Sequence, residues 1–525
     1  MVAVKSDMTD VVVVGAGAAG AVFAALLAES GKRVTILESG PDRRLSDLYS
    51  SQIWARKLKW AEPHVPETSK DSLSFNFNAG RGTGGAAVHH FGVWPRLHEN
   101  DFKERSQFGK GLDWPIEYAD LRPWYDRVQA DVGVAGDAEA EIWRPPGEPY
   151  PLPPVPRFAQ GEMLARGFEK LGLRVAPVPV AILTQPYKGR PACIWDGWCD
   201  AGCPTGALAN PLVHYLPRAR RAGAELWNDC HVTRLLSDVR GRRVTGVEYH
   251  DADGQRHELR ADVVVLCAFT VENVRILLNS RSGRGDRALA NRNGLVGAYL
   301  MSHPAVVHSG LFERDTQNHL GISGGQIINQ DHFEKSGDDE AFGSRQWIGG
   351  LALKPNDLLG IAMSRIDIIG SELEPFMQKA ARRLAQIVSI VEDQPLRENR
   401  VELAGNKDAW GYPLAQIRYQ TSPDGMRLWQ QSAEEGLAIL KAAGATEAWH
   451  GPKVAQHIMG GTIMGDDPRA SVTDQWGRAH EVENLFIGGG GLFPTSSAVN
   501  STFTIHALAM RSADYLVRNW SGIAG

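Results

Sequence analysis

Two stretches of this chain carry residues whose types and spacing could do chemistry. The first is Gly15, Gly17 and Gly20, in the pattern G-x-G-x-x-G, with an acid, Glu38, eighteen positions past Gly20. Glycines so placed leave the backbone bare, so a pyrophosphate can lie against the amide N–H groups that open a helix. A carboxylate at that remove is placed for the ribose hydroxyls of a dinucleotide. The second stretch is Cys193, Cys199 and Cys203, spaced C-x5-C-x3-C, with Pro204 directly after the last thiol. Clustered thiolates in a Gly/Pro loop suit an iron–sulfur cluster, and three ligands rather than four favour three irons. Another metal stays open, with Asp196 or Asp200 as the nearby fourth ligand that zinc would need. So does a disulfide with one spare thiol.

The elements that must position these residues are readable around them. Val11 to Val14 is a short, wholly apolar strand of the kind a buried parallel sheet uses, and Val34 to Leu37 is a second. Ala18 to Ser30 is small and apolar enough for a buried helix, stopped by Gly31. Strand, helix, second strand and acid stand in register, which makes a dinucleotide site of an otherwise weak glycine pattern. A second glycine cluster, Gly80 to Gly85, precedes Ala86-Ala87-Val88-His89-His90 and lets backbone lie against a flat or phosphorylated ligand. Residues 98–137 are amphipathic, and residues 144–156 are a proline-rich connector. Residues 224–266 read as short strands of a small sheet returning to the parallel core, with Cys230 and Cys267 as core residues on strands. Asn484 to Ile487 is another buried strand running into Gly488 to Gly491, and a terminal helix starts near Ser501, with Ser501 or Thr502 as its cap. Glycine turns at both ends of the chain imply one nucleotide domain built from discontinuous pieces.

Composition bounds the function classes. A chain of 525 residues has room for a large core and about two to four domains. A net charge of −5 argues against nucleic acid and gives no sign of an anionic membrane partner. Five cysteines, unevenly placed, are no disulfide framework, and no apolar run reaches spanning length. Lys5 ahead of an apolar stretch resembles a signal peptide, but cleavage there would destroy the glycine unit.

Along nearly its whole length the sequence resembles the glucose–methanol–choline (GMC) family of flavoprotein oxidoreductases. The N-terminal unit carries the resemblance together with Arg81-Gly82-Thr83-Gly84-Gly85, Gly111 to Pro115, and Asn293 to Gly297 with His303-Pro304. Glu392 to Val401, His457 to Gly465 and Phe493 to Asn500 complete it in the family order. It is most similar to catalytic subunits of bacterial membrane-linked sugar dehydrogenases. The resemblance implies an α/β chain: a Rossmann-like FAD-binding domain from residues 1–95, 207–310 and 452–525. A substrate-side α+β domain with an antiparallel sheet then comes from 96–206 and 311–451, with the cysteine loop at 192–206.

Oxidising an alcohol carbon by hydride removal requires a base for the hydroxyl proton. The resemblance puts His457 there, with Asn500 holding the substrate oxygen and the carbon over flavin N5. The terminal helix that follows presents its positive end to the negative charge of the reduced flavin. Gly15, Gly17, Gly20, Glu38, Arg81, Gly84, Gly85 and the backbone of Val232 are implied as FAD contacts. Gly489 and Gly490 match the family's Asp-Gly, with Gly489 in place of the acid. His89 is similar in position to a histidine that bonds covalently to the flavin in some relatives; a polar flavin neighbour and a packed core residue are the other readings. The subgroup uses a three-iron, four-sulfide cluster at cysteines like Cys193, Cys199 and Cys203. The expected activity is an FAD-dependent dehydrogenase of a sugar or glycoside, passing electrons through that cluster to a cytochrome c or quinone-linked acceptor. A small chaperone-like subunit is the expected partner, and periplasmic co-export with it is favoured over a cytoplasmic location. An oxygen-using carbohydrate oxidase without a cluster is the alternative, and a redox-silent flavoprotein the distant one.

Overall fold

The valines of the first strand are completely shielded from solvent, and so is most of the helix that follows it. A computed structural model describes residues 8–59, 65–68, 71, 73, 79–281, 287–335 and 340–525; Lys5 lies outside them. In chain order the strands are β1 (Met8–Val14), β2 (Val34–Leu37), β3 (Ala176–Pro177), β4 (Glu225–Trp227), β5 (His231–Ser237), β6 (Val244–His250), β7 (Arg256–Leu266) and β8 (Met301–Leu311). Then come β9 (Ile327–Asn329), β10 (Arg345–Gly349), β11 (Leu384–Val391), β12 (Arg400–Lys407), β13 (Pro413–Arg418), β14 (Glu447–His450), β15 (Val454–Met459) and β16 (Leu485–Ile487).

They form two main sheets and a hairpin. The first runs β4-β2-β1-β7-β6-β5, with β16 also on β7. Its β4, β2, β1, β7 and β16 are parallel, and the apolar runs of β1, β2 and the end of β7 form its buried centre. Residues 224–266 thus hold the short antiparallel strands β5 and β6 that return to the parallel core through β7, as expected. β7 serves both halves: its first residues pair antiparallel with β6, its last three parallel with β16. The terminal helix Thr502–Arg518 packs on the first helix, Ala18–Glu29, so the two ends of the chain share one core.

The second sheet, β14-β8-β11-β10-β9-β3 with β15 also on β8, is antiparallel throughout. β8 lies within 207–310 but for its last residue, and β15 within 452–525, yet both hydrogen-bond into the second sheet. Pairing over their whole length outweighs the sequence position of either strand. Conversely β12–β13, expected on the substrate side, docks on the helix Thr270–Asn279 of the nucleotide layer, where Arg275 binds Pro413 O and Asp408. Ser501 makes no side-chain cap bond, also against expectation: its backbone is already helical, which turns the hydroxyl away from the first-turn N–H groups.

Candidate active site

A cavity of about 630 Å³ joins the two sheets, and most of the residues expected to hold a dinucleotide line it. Gly15, Gly17, Glu38, Arg81, Gly85, His89, Val232, Gly489 and Gly490 border it together with His457 and Asn500. At Gly15, φ is +98° and a Cβ would stand 2.4 Å from Cys267 O, so only glycine fits the turn. Gly17 has nothing within 4 Å of a Cβ position: the space in front of it is open to a ligand. Gly20 does not line the cavity. Its Cβ would meet Gly15 O at 2.0 Å, and its role is to let the helix close on the strand. Gly84 is also out of the cavity, in a left-handed turn against Val88 that carries Gly85 to the wall.

Glu38 follows β2 and is buried, which raises its carboxyl above the usual carboxylate range. It accepts backbone N–H bonds at 3.0 Å each from Ala16, Gly40 and Gly82, and so ties both glycine clusters together. Arg81 donates to Ser39 O at 2.9 Å beside it. His89 and His90 separate cleanly. His90 spends its ring on Ala209 O and Gly92 N, while His89 keeps a buried Nε2 with no partner. A polar atom left bare in a cavity wall is the mark of a missing ligand group, and with the open glycines it makes the cavity a fit for a flavin dinucleotide. Cys230 and Cys267 lie one residue outside β5 and β7, buried but at the cavity wall. The sequence reading missed the start of the helix Thr270–Asn279, where Phe269 turns with φ +77° to bring Ala268 and Thr270 to the wall. It also missed His231, a cavity residue stacked on Trp410 with both ring nitrogens unpartnered.

His457 sits where β15 slips against β8. Gln456 pairs with His303, the register shifts before Met459, and His457 takes φ +55°. Such a bulge re-aims one side chain out of the strand's alternation. The ring lands with Nε2 3.4 Å from Asn500 Nδ2 and Nδ1 2.9 Å from His303 Nδ1. His303 Nε2 lies 3.1 Å from Ser496 O, and on the other side Gln346 Nε2 donates to Asn500 Oδ1 at 3.1 Å. Burial pushes His457 down to about 3 and His303 to about 4, so both rings are neutral at neutral pH. A neutral imidazole with its Nε2 at the cavity wall is a proton acceptor, and the amide beside it holds an oxygen. His303 and Gln346 were not assigned roles from sequence, since nothing local marks a buried polar residue as a partner of one 154 positions away.

The three cysteines converge on one apolar cluster with Leu208, Ile322 and Ile348, against the second sheet. Cys193 Sγ accepts from Trp195 N and Cys203 Sγ from Leu208 N, each at 3.3 Å, and Cys199 is buried beside Ser323. The loop reaches this shape through positive φ at Trp195, Gly197, Gly202 and Cys203. Among the described residues the thiols do not gather as tightly as a single ion requires; with Zn–S near 2.3 Å its ligand atoms sit within ~4 Å of one another. Gly202, between Cys199 and Cys203, packs on Val88, the neighbour of the cavity residue His89, so one layer of chain separates loop and cavity. The one tight carboxylate cluster among the described residues, Asp101, Glu104 and Glu392, is filled by the Lys335 ammonium at 2.6–3.0 Å and is no metal site.

Residues 9–305 match the N-terminal and 395–509 the C-terminal domain of the GMC oxidoreductase family. The fructose dehydrogenase large subunit of Gluconobacter japonicus is 30% identical, over 97% of this chain and 98% of its own. The paromamine 6'-oxidase of Streptomyces fradiae is also 30% identical, over 96% and 90%. Among solved structures, the pyridoxine 4-oxidase of Mesorbium loti superposes with a TM-score of 0.69 at 17% identity, over 97% of this chain and 99% of that one.

Proposed function

The chain belongs to the GMC oxidoreductase family, and from that membership we propose that it is an FAD-dependent dehydrogenase of a sugar or glycoside hydroxyl. The observation that carries the reading is the pair His457 and Asn500 at the cavity wall, with the imidazole Nε2 and the amide Nδ2 side by side. An alcohol carbon gives up a hydride readily only when its hydroxyl proton leaves as well. His457 Nε2 takes that proton. Asn500 donates to the same oxygen and orients the carbon. Gly15, Gly17, Glu38 and Gly490 hold FAD along the cavity, and FAD supplies a two-electron acceptor there. The bare first turn of the terminal helix, at Ser501 and Thr502, adds positive potential to the same wall. His89, with its free Nε2, is a polar neighbour of the cofactor and the candidate for a covalent link to it.

The finer part of the proposal is the electron exit. Cys193, Cys199 and Cys203 hold a three-iron cluster, and electrons leave through it singly to a cytochrome or quinone-linked partner. Support comes from the convergence of the thiols and from the single chain layer between the loop and the cavity. A relative named as a large subunit supports a small companion subunit. A second reading, an oxygen-using oxidase with an empty loop, is favoured by the relative named as a paromamine oxidase. The test is iron per FAD on freshly purified protein, followed by peroxide yield during turnover. About three irons and little peroxide support the relay; no iron with stoichiometric peroxide makes the protein an oxidase.

A further inference from the structure

His303, on β8, is fully buried and does not border the cavity, so it acts only through what it touches. Its ring reaches His457 and Ser496: Nδ1 faces His457 Nδ1 at 2.9 Å, and Nε2 faces Ser496 O at 3.1 Å. The positions of the protons follow from donor and acceptor chemistry. A backbone carbonyl can only accept, so His303 Nε2 carries the hydrogen. A neutral imidazole has a single N–H, so His303 Nδ1 is an acceptor. The atom opposite, His457 Nδ1, must then be the donor. His457 is left with its bare lone pair on Nε2, the atom that faces Asn500.

The same direction runs on without conflict. Asn500 Nδ2 donates to His457 Nε2, Gln346 Nε2 to Asn500 Oδ1 and Gln330 Nε2 to Gln346 Oε1. His98 Nε2 completes the series at 3.2 Å from Gln330 Oε1. Reversing any one member sets two donors or two acceptors face to face in a buried site, where an unpaired polar group is costly. Ser496, whose carbonyl ends the series, is itself fixed: its Oγ receives Asp393 N at 3.0 Å and donates to Asp393 O at 2.9 Å.

We propose that His303 is a positioning residue that locks His457 in the Nδ1–H tautomer, with Ser496 O setting the sense of the whole side-chain series and Gln346 holding the Asn500 amide with its N–H groups toward the base. Without His303 the ring of His457 is free to carry its proton on Nε2, where it cannot act as a base. This rests on the assignment of His457 as base, and its test separates the two. The burial that lowers both histidines keeps the series neutral and is consistent with this arrangement.

The experiment is nitrogen-15 NMR of the histidine-labelled holoenzyme, in which Nδ1–H and Nε2–H rings differ in both nitrogen shifts. Comparison with His457→Gln identifies the His457 signals. The wild type should show Nδ1–H; an Nε2–H ring overturns the proposal whether or not any sugar is oxidised. His303→Asn keeps an acceptor oxygen near the Nδ1 position and should keep the Nδ1–H signature, whereas His303→Phe should lose it. With any sugar that bleaches the flavin, His303→Phe should slow bleaching at least ~10²-fold, the scale of general-base catalysis, with substrate affinity little changed. In a His457→Ala background the same change should have no further effect. A His303→Phe loss that is equally large without His457, or a retained rate, contradicts it. If His303→Phe does not fold, the wild-type tautomer decides alone.

Discussion

Asn500 Nδ2 stands 3.4 Å from His457 Nε2, a separation that leaves both atoms free to turn to a shared oxygen. Neither is bound to the other tightly, yet each is anchored from behind, Asn500 by Gln346 and His457 by His303. Catalytic groups held by their own supporting bonds lose little freedom when substrate arrives. Asn500→Ala removes one of the two without opening the FAD cradle. It should lower the rate of flavin reduction about 10²-fold and weaken sugar binding while leaving the bound flavin spectrum unchanged. Rapid-mixing absorbance under nitrogen measures both; a rate within a few-fold of wild type removes Asn500 from the site.

The cradle makes a separate prediction. Gly20→Ala puts a methyl 2.0 Å from where Gly15 O lies, and that contact is backbone, which cannot swing away. The variant should fold poorly or emerge without FAD. Glu38→Gln is subtler, because the carboxylate accepts from Ala16, Gly40 and Gly82. An amide turns an N–H toward at least one of these donors, at about 1–3 kcal/mol. FAD content and melting temperature should both fall; a Glu38→Gln protein with full FAD and unchanged melting contradicts the cradle.

The part of this site that is legible in the sequence is the part whose residues act locally. Gly15, Gly17, Gly20 and Glu38 sit within one strand–helix–strand unit, so their spacing alone places them. Cys193 to Cys203 likewise form a single loop. His303 and Gln346 belong to strands of one sheet joined by long-range pairing, Gln330 follows directly on a third, and a buried Gln or His leaves no periodic trace. The sheet that β8 and β15 join is hidden for the same reason: they pair across roughly 150 residues, as Gln456 with His303, and no local pattern records which sheet a strand joins.

Cys199 lies deepest of the three loop thiols. Cys199→Ser should lower the iron content and cut electron transfer to cytochrome c, while sugar-driven bleaching of the flavin stays intact. Iron analysis and paired assays of bleaching and cytochrome reduction check this. Equal cytochrome reduction by the variant would take the loop out of the electron path.

Acid should loosen the fold earlier than carboxylate titration alone would. An imidazole in the unfolded chain takes its proton near pH 6.5. Burial delays this to about 3 at His89 and His457 and to about 4 at His90, His98, His303 and His506. Between those values the unfolded chain binds more protons, so this stability is whole above pH 6.5 and declines as pH falls below it. Glu141, raised to about 7, and Asp393, raised to about 6, oppose the trend but are outnumbered. The melting temperature of the FAD-loaded protein should fall steadily from pH 6.5 to 5; a flat profile contradicts the neutral, buried histidines.

The proposed oxidation of a sugar hydroxyl in this cavity, with His457 as base, is open to direct test. The direct measurement is flavin absorbance under nitrogen on adding D-fructose, D-gluconate or a methyl glycoside, with wild type and His457→Ala side by side. At least one of them should bleach the wild-type flavin, and His457→Ala, still carrying FAD, should be slower by about 10²–10⁴-fold. A fully loaded wild type that none of them reduces, or a His457→Ala variant that bleaches at the wild-type rate, would contradict it.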